Sequence, residues 1–307
     1  MPAEHRLTIR PIRASDEADW RALWTGYLQY YESTVSEEVY ATTFKRLLEG
    51  GEAEPQGYLA LLDGRAVGLV HFIFHPSSWL IDGTCYLQDL FTAPEARGAG
   101  VARALIEAVY EAADAAGVHA VYWFTQHFNE RARVLYDKVA VKTPFIRYNR
   151  NFQNTPKARP DLVIRPLVAE DEEAWRKLWS GYLTFYEAEL SDAVTTATFA
   201  RILADDQATM RGRLLEIDGK PQGLVHFVTH RHCWRVEKVC YLQDLYANPE
   251  VRGGGLGRAL IEAVYAEADR MGTPTVYWMT QEFNATARKL YDRIGMLTPF
   301  IEYDRPE

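Results

Sequence analysis

The chain is 307 residues long, which favours two domains over a single core. With 48% hydrophobic and 25% charged residues it has an ordinary globular composition, and its net charge of −8 argues against a nucleic-acid partner and for a cationic small molecule or basic peptide. The three cysteines have no metal-site spacing and an odd count, "MPAEHRLTIRPIR" holds no signal-peptide core, and no apolar run is of bilayer length. A cytoplasmic protein without metal, disulfide or membrane contact is therefore expected.

"LTIRPIR" reads as an opening strand. Trp20, Leu23, Trp24, Tyr27 and Tyr31 then recur at helical spacing behind the acidic start Ser15-Asp16-Glu17. "GYLALLDGRAVGLVHFIFH" gives two strand-like runs about the turn Asp63-Gly64. The strand "CYLQDLF", a glycine-rich turn and the helix "ARALIEAVYEAADAAG" follow. Leu105, Ile106, Val109 and Ala113 share one face of that helix, and Gly117 stops it. "VYWFT" is a strand, "NERARVLYDK" a helix and "TPFIRYNR" a closing strand. Mixed order of this kind predicts a mixed, mostly antiparallel sheet flanked by helices, an α/β fold that is not doubly wound.

The whole series then recurs 155 residues later, without a gap from Leu7 to Arg150 and with about half the pairs identical. Trp24 matches Trp179, His71 matches His226, Asp89 matches Asp244 and Tyr136 matches Tyr291. A period of this length signals duplication of a domain, not a solenoid. The expected domains are residues 1–152 and 160–307. Between them "NFQNTPKARPD" (151–161), polar and with two prolines, is the linker.

The turn reads "RGAGVARAL" in the first copy and "RGGGLGRAL" in the second. A glycine turn ahead of a helix lets unpaired amides close on an anion. The same glycines also suit a tight corner needing positive φ, and the pattern is neither a dinucleotide fingerprint nor a P-loop.

Arg-x-x-Gly-x-Gly/Ala after a "DL-aromatic-x-x-P" strand resembles the acetyl-CoA loop of the GCN5-related N-acetyltransferases, and "NERARVLYDKVA" and "NATARKLYDRIG" resemble that family's second cofactor motif. The likeness spans nearly all of both copies and is nearest the fungal histone/polyamine and D-amino-acid branch. It implies two tandem domains of that fold. It implies acetyl-CoA as cofactor, its pantetheine arm along Leu90, Phe91 and Thr92 or Leu245, Tyr246 and Ala247. The pyrophosphate would lie on the amides of Arg97, Gly98, Ala99, Gly100, Val101 and Ala102, or of Arg252, Gly253, Gly254, Gly255, Leu256 and Gly257. The family's usual acid falls on Tyr136 and Tyr291, each seven residues after an asparagine, Asn129 or Asn284, and hence on the same helix face. A tyrosine is protonated at neutral pH and suits protonation of a thiolate.

Asp89 and Asp244, in the strand beside the implied thioester, are the first candidates to take the amine's proton. His71 and His226 lie on an apolar strand and read as core histidines. Tyr31 with Glu32, and Tyr186 with Glu187, extended in the second copy by Glu189 and Asp192, stand where the family shapes its acceptor site and could receive a cationic amine; a solvated acidic helix end is the alternative. Trp79 and Trp234 either wall the acceptor pocket or fill a core edge. The second copy keeps Gly257 and Gly295 where the first has Ala102 and Ala140, which favours the second for turnover. The implied reaction is direct transfer to the primary amine of a polyamine, an amino acid or an amine-bearing antibiotic. Protein-lysine acetylation is the alternative in the same class, and a non-catalytic acyl-CoA sensor the alternative in another. The fused copies are expected to form an internal pseudo-dimer.

Overall fold

The structure is a computed structural model and describes residues 6–51, 53–157, 159–204, 209–251 and 254–306. The first half runs β1 (Leu7–Pro11), α1 (Glu17–Tyr30), α2 (Glu37–Glu49), β2 (Gln56–Leu62), β3 (Arg65–His75), β4 (Thr84–Thr92), α3 (Val101–Ala115), β5 (Val121–Gln126), α4 (Glu130–Val139) and β6 (Val141–Arg150). The second repeats it as β7 (Val163–Pro166), α5 (Glu172–Phe185), α6 (Asp192–Leu203), β8 (Met210–Ile217), β9 (Lys220–His230), β10 (Val239–Ala247), α7 (Leu256–Arg270), β11 (Val276–Gln281), α8 (Ala285–Ile294) and β12 (Gly295–Asp304).

Period-two alternation divides the side chains of β2 and β3 between two faces. Ala60, Val70 and Phe72 pack with Leu105, Ile106 and Val109 of α3. Leu59, Leu69 and Ile73 pack on the other face with Trp20, Trp24 and Leu28 of α1 and with Phe44 and Leu47 of α2. The helix α2 was not expected, although its signals are present. Ser36 caps it, accepting from the Val39 amide at 3.4 Å, and Gly50 ends it at φ +65°.

The strands form one mixed sheet in the order β1-β2-β3-β4-β5-β12-β6-β11-β10-β9-β8-β7. The halves thus exchange their last strands. β12 pairs antiparallel with β5, Tyr303 opposite Trp123, and β6 pairs with β11, Tyr148 opposite Trp278. β6 and β12 also pair with each other across the middle. The sequence alone did not show this exchange. Its cause is the repeat itself: "TPFIRYNR" and "TPFIEYDR" are nearly interchangeable, so either can complete either sheet. The segment between β6 and β7 lies along α7 at residues 154–157, where Arg258 donates to Asn154 Oδ1 and the Thr155 carbonyl, both at 3.0 Å, and the Lys157 amide donates to Glu262.

Because β5 and β11 are each closed by a strand from the other half, separately produced fragments 1–152 and 160–307 should co-elute as a one-to-one complex in size-exclusion chromatography with light scattering. A stable monomer of either fragment would contradict the exchange.

Candidate functional site

The parallel pair β4–β5 is short. Only Cys85 opposite Val121 and Tyr86 opposite Tyr122 are in register. Beyond them Gln88 is an extra residue, for Asp89 faces His71 while Leu87 faces Phe72. This bulge turns β4 away from β5. The gap is a cleft of about 510 Å³ lined by residues of β4, β5, α1, α3 and α4.

At one end of the cleft is the glycine turn. Gly100 precedes α3 at φ +80°, a conformation a side chain would strain, and Gly98 has φ +89°. The helical bond from the Ala104 amide to the Gly100 carbonyl (3.0 Å) leaves the amides of Val101, Ala102 and Arg103 without a helical acceptor. Arg97, Arg103, Arg131 and Lys138 also line the cleft. Despite the acidic chain, no aspartate, glutamate or histidine is found on the cleft wall among the described residues. Two buried polar atoms on this wall, Thr92 Oγ1 and Trp123 Nε1, have no hydrogen-bond partner. Unpaired amides, cations and orphaned polar atoms suit a long ligand with phosphates at one end and amides along its arm.

Tyr136 stands midway along the cleft, 8% exposed, with its ring 5.3 Å from Trp123 and 5.5 Å from Tyr303 of the exchanged strand. Burial raises its hydroxyl well above the ordinary tyrosine pKa. Asn129 caps the same helix, accepting from the Ala132 amide at 3.4 Å and donating to Thr125 Oγ1 at 3.2 Å. Leu90, Phe91, Thr92, Arg97, Gly98, Gly100, Val101 and Ala102 also line the cleft, but Ala99 does not.

The other end is aromatic, with Tyr27, Tyr30, Tyr31 and Phe124 around Gln88. The opposite half enters here. The loop after β9 reaches across, and Trp234 Nε1 donates to Asp89 Oδ1 at 2.8 Å, its ring 5.9 Å from Tyr27 and 6.0 Å from Tyr31. Thr43 and Arg46 of α2 hold that loop by the carbonyls of Cys233, Arg235 and Val236, and Gln88 Oε1 accepts from the Cys233 amide. The exchange is reciprocal. Trp79 donates to Asp244 Oδ1 at 2.9 Å, and Thr198 and Arg201 hold the carbonyls of Ser77, Ser78, Leu80 and Ile81.

Asp89 is 1% exposed and lies behind the cleft wall. Trp20 Nε1 donates to His71 Nε2 at 2.8 Å, so the ring's proton is on Nδ1, which donates to Asp89 Oδ2 at 2.8 Å. Trp24 (3.3 Å) and Gln88 (3.4 Å) add to Trp234, giving the carboxylate four donors. Asp244 is likewise buried among His226, Ser78 and Trp79. This geometry leaves neither carboxylate facing the cleft space, as the expected role of proton acceptor would need; both brace the two halves. His71, Asp89 and Cys233 bring three possible metal-binding atoms within 4.8 Å. The matching cluster about Asp244 has Ser78 where this one has Cys233, and the first two atoms are already bonded to each other.

Glu32 and Glu187 are exposed, and Glu32 is not among the residues that line the cleft. They end α1 and α5 at φ +51° and +52°, where the amides of Ser33 and Ala188 bond back to Leu28 and Leu183. Glu189 is exposed, and Asp192 pairs with Arg176 at 2.8 Å. Tyr186 packs on Trp79.

In the second half, β10 and β11 part after Leu242 opposite Trp278, and Leu245, Tyr246 and Ala247 continue β10. Gly255 precedes α7 at φ +78°, and Leu256 and Gly257 begin the helix. The Arg159 guanidinium of the joining segment lies against Gly254 and Gly255. Arg252 and Gly253 are outside the described residues. Asn284 caps α8, and Tyr291 packs on Trp278 and Tyr148, its hydroxyl also raised by burial. Among the described residues no helix is long and apolar enough to cross a membrane, and the three cysteines are free and buried.

Sequence reasoning missed Gln88, Tyr27, Tyr30 and the cations Arg103, Arg131 and Lys138. The repeated "LQDL" was the available signal for the glutamine, since two polar residues in a row break the alternation of a buried strand in both copies, as a bulge does. Nothing local announced that the loops would cross.

The model of the acetyltransferase (GNAT) family matches residues 20–140 and 172–296. The D-amino-acid N-acetyltransferase HPA3 of Saccharomyces cerevisiae is 40% identical over 146 residues, 47% of this chain and 90% of that protein. An N-acetyltransferase of Bacillus subtilis, YhfO, is 27% identical over 147 residues, 47% of this chain and 97% of that one. A GCN5-related N-acetyltransferase from Sphaerobacter thermophilus shares the fold with a TM-score of 0.57 at 15% identity, over 100% of this chain and 98% of its own. A tandem GNAT protein from the clavulanic acid pathway does so at 0.52 and 14%, over 98% of this chain and 100% of its own.

Asp89→Asn exchanges an acceptor of four hydrogen bonds for an amide that must itself donate. Denaturant unfolding should show a loss of about 1–3 kcal/mol, with a changed indole emission; unchanged stability would remove Asp89 as the brace.

Proposed function

The chain belongs to the GNAT acetyltransferase family and is an acetyl-CoA-dependent N-acetyltransferase; on that footing we propose that its first half acetylates the primary amine of a small molecule, an amino acid in particular. One observation carries this reading: a single cleft joins unpaired helix amides, a buried tyrosine and an aromatic end. The name of the yeast relative supports the amino-acid class.

The thioester supplies an activated acetyl carbonyl. The amides of Val101, Ala102 and Arg103 hold the pyrophosphate, the neighbouring cations hold the remaining phosphate charge, and Leu90–Thr92 pair with the pantetheine arm. The amine enters past Tyr27, Tyr30 and Tyr31. Its nitrogen forms the new C–N bond as the C–S bond breaks, and Tyr136 gives its proton to the departing sulfur. Burial keeps that tyrosine protonated until it is needed. Among the described residues the cleft wall offers no carboxylate or imidazole, so water takes the amine's proton and a water returns one to Tyr136.

The first half is preferred because its turn is open: a Cβ at Gly98 or Gly100 would meet nothing within 4 Å, whereas Arg159 lies against the second turn. This reverses the preference drawn from Gly257 and Gly295.

Tyr136→Phe should lower kcat about 10²- to 10⁴-fold while acetyl-CoA affinity by calorimetry stays within a few-fold. Full activity in this variant, or acetyl-CoA binding without thiol release over a panel of amines, would refute the reading. The logarithm of kcat/KM should rise with unit slope up to the amine's own pKa, because only the neutral amine attacks. A further inflection between pH 4 and 7 in the pH–rate profile would reveal an enzyme base that the cleft wall lacks.

A further inference from the structure

The exchanged strands differ most at one matched pair. Where the first copy has Arg147, the second has Glu302, within "TPFIRYNR" and "TPFIEYDR". Arg147 is half-buried. Its guanidinium carbon is 4.1 Å from the Tyr277 ring, 5.2 Å from Phe124 and 5.9 Å from Phe300. Phe124 lines the cleft at its aromatic end, and Phe300 stacks on Tyr31, which lines it too; Arg147 stands behind these rings and is not itself a lining residue, so a carboxylate reaches it past Phe124. Arg147 Nε donates to Asn149 Oδ1 at 3.2 Å, and no carboxylate lies within ion-pair distance among the described residues. Three other part-buried arginines, Arg10, Arg150 and Arg165, each grip an aspartate at 2.6 Å, while Arg201 is held by main-chain carbonyls and Arg133 by the His127 carbonyl and the Tyr303 hydroxyl. A guanidinium held by rings but lacking its acid presents a planar fork suited to a carboxylate.

We propose that Arg147 binds the carboxylate of the acceptor at the first site, so that this site selects amino acids over simple amines. The assignment rests on the acetyl-transfer reading above. Electrostatics agree, since the cleft wall has no acid to compete for the guanidinium. The second site has an acid at the matched position, and burial pushes its carboxyl up to about 8. Glu302 accepts from Thr143 Oγ1 at 3.1 Å.

The test uses the full chain and two acceptors of one skeleton, D-phenylalanine and 2-phenylethylamine. Arg147→Gln should raise KM for D-phenylalanine ~10- to 100-fold more than for 2-phenylethylamine, and Arg147→Lys should recover part of the difference. Equal changes for the two acceptors, or none, overturn the proposal. Calorimetry with coenzyme A present gives an arm independent of turnover. D-phenylalanine should bind wild type and lose affinity in Arg147→Gln, and coenzyme A itself should bind both alike as the test of folding. If no amine is acetylated but this loss is seen, the acetyl-transfer reading fails and the carboxylate site stands. If amines are acetylated but D-phenylalanine binds wild type and Arg147→Gln alike, the carboxylate site fails alone.

Discussion

The rest of the structure depends on an unpaired strand edge. β5 and β11 would each expose a row of backbone amides and carbonyls if the halves stood apart, and such an edge recruits a partner. Here the partner is the last strand of the other half. Closing both edges in this way welds two sheets into one and sets the halves at a fixed distance. The ring of Tyr303 thereby comes under Tyr136, and Tyr148 under Tyr291. The crossing loops depend on the same fixed distance, since Trp234 reaches Asp89 and Trp79 reaches Asp244 only if the halves do not slide.

Within that frame the chemistry separates by distance from solvent. The carboxylates of Asp89 and Asp244 are deep, and their donors orient them as braces. The tyrosine hydroxyl is nearer the cleft, where burial favours the protonated form without removing it from reach. The cations stand at the mouth. A chain of net charge −8 therefore carries a locally positive groove, because net charge averages over a surface while a ligand responds to the few charges beside it.

Much of this was legible from residue order. Hydrophobic periodicity located the strand–turn–helix unit, because a helix stripe and a buried strand each leave a simple repeat in the sequence. The glycine turn was legible because positive φ restricts the residue type, as at Gly100 and Gly255. The strand exchange was not, since β6 reads as the same strand whichever sheet it joins. The place of Asp89 was hidden for a similar reason. Strand alternation says which face a carboxylate points to, but its four donors come from α1, β3, β4 and a loop 145 residues away. Glu32 looked like a charged acceptor contact and is a helix terminus in left-handed conformation, a role sequence assigns to glycine by default.

Acetyl transfer at the first half requires its glycine turn to serve as the phosphate cradle. Hydrogen exchange of the full chain with and without coenzyme A tests this most directly. Slowed exchange at the amides of residues 98–103 and along Leu90–Thr92 is the predicted result. Binding of coenzyme A that leaves those amides exchanging at their free rates would contradict it.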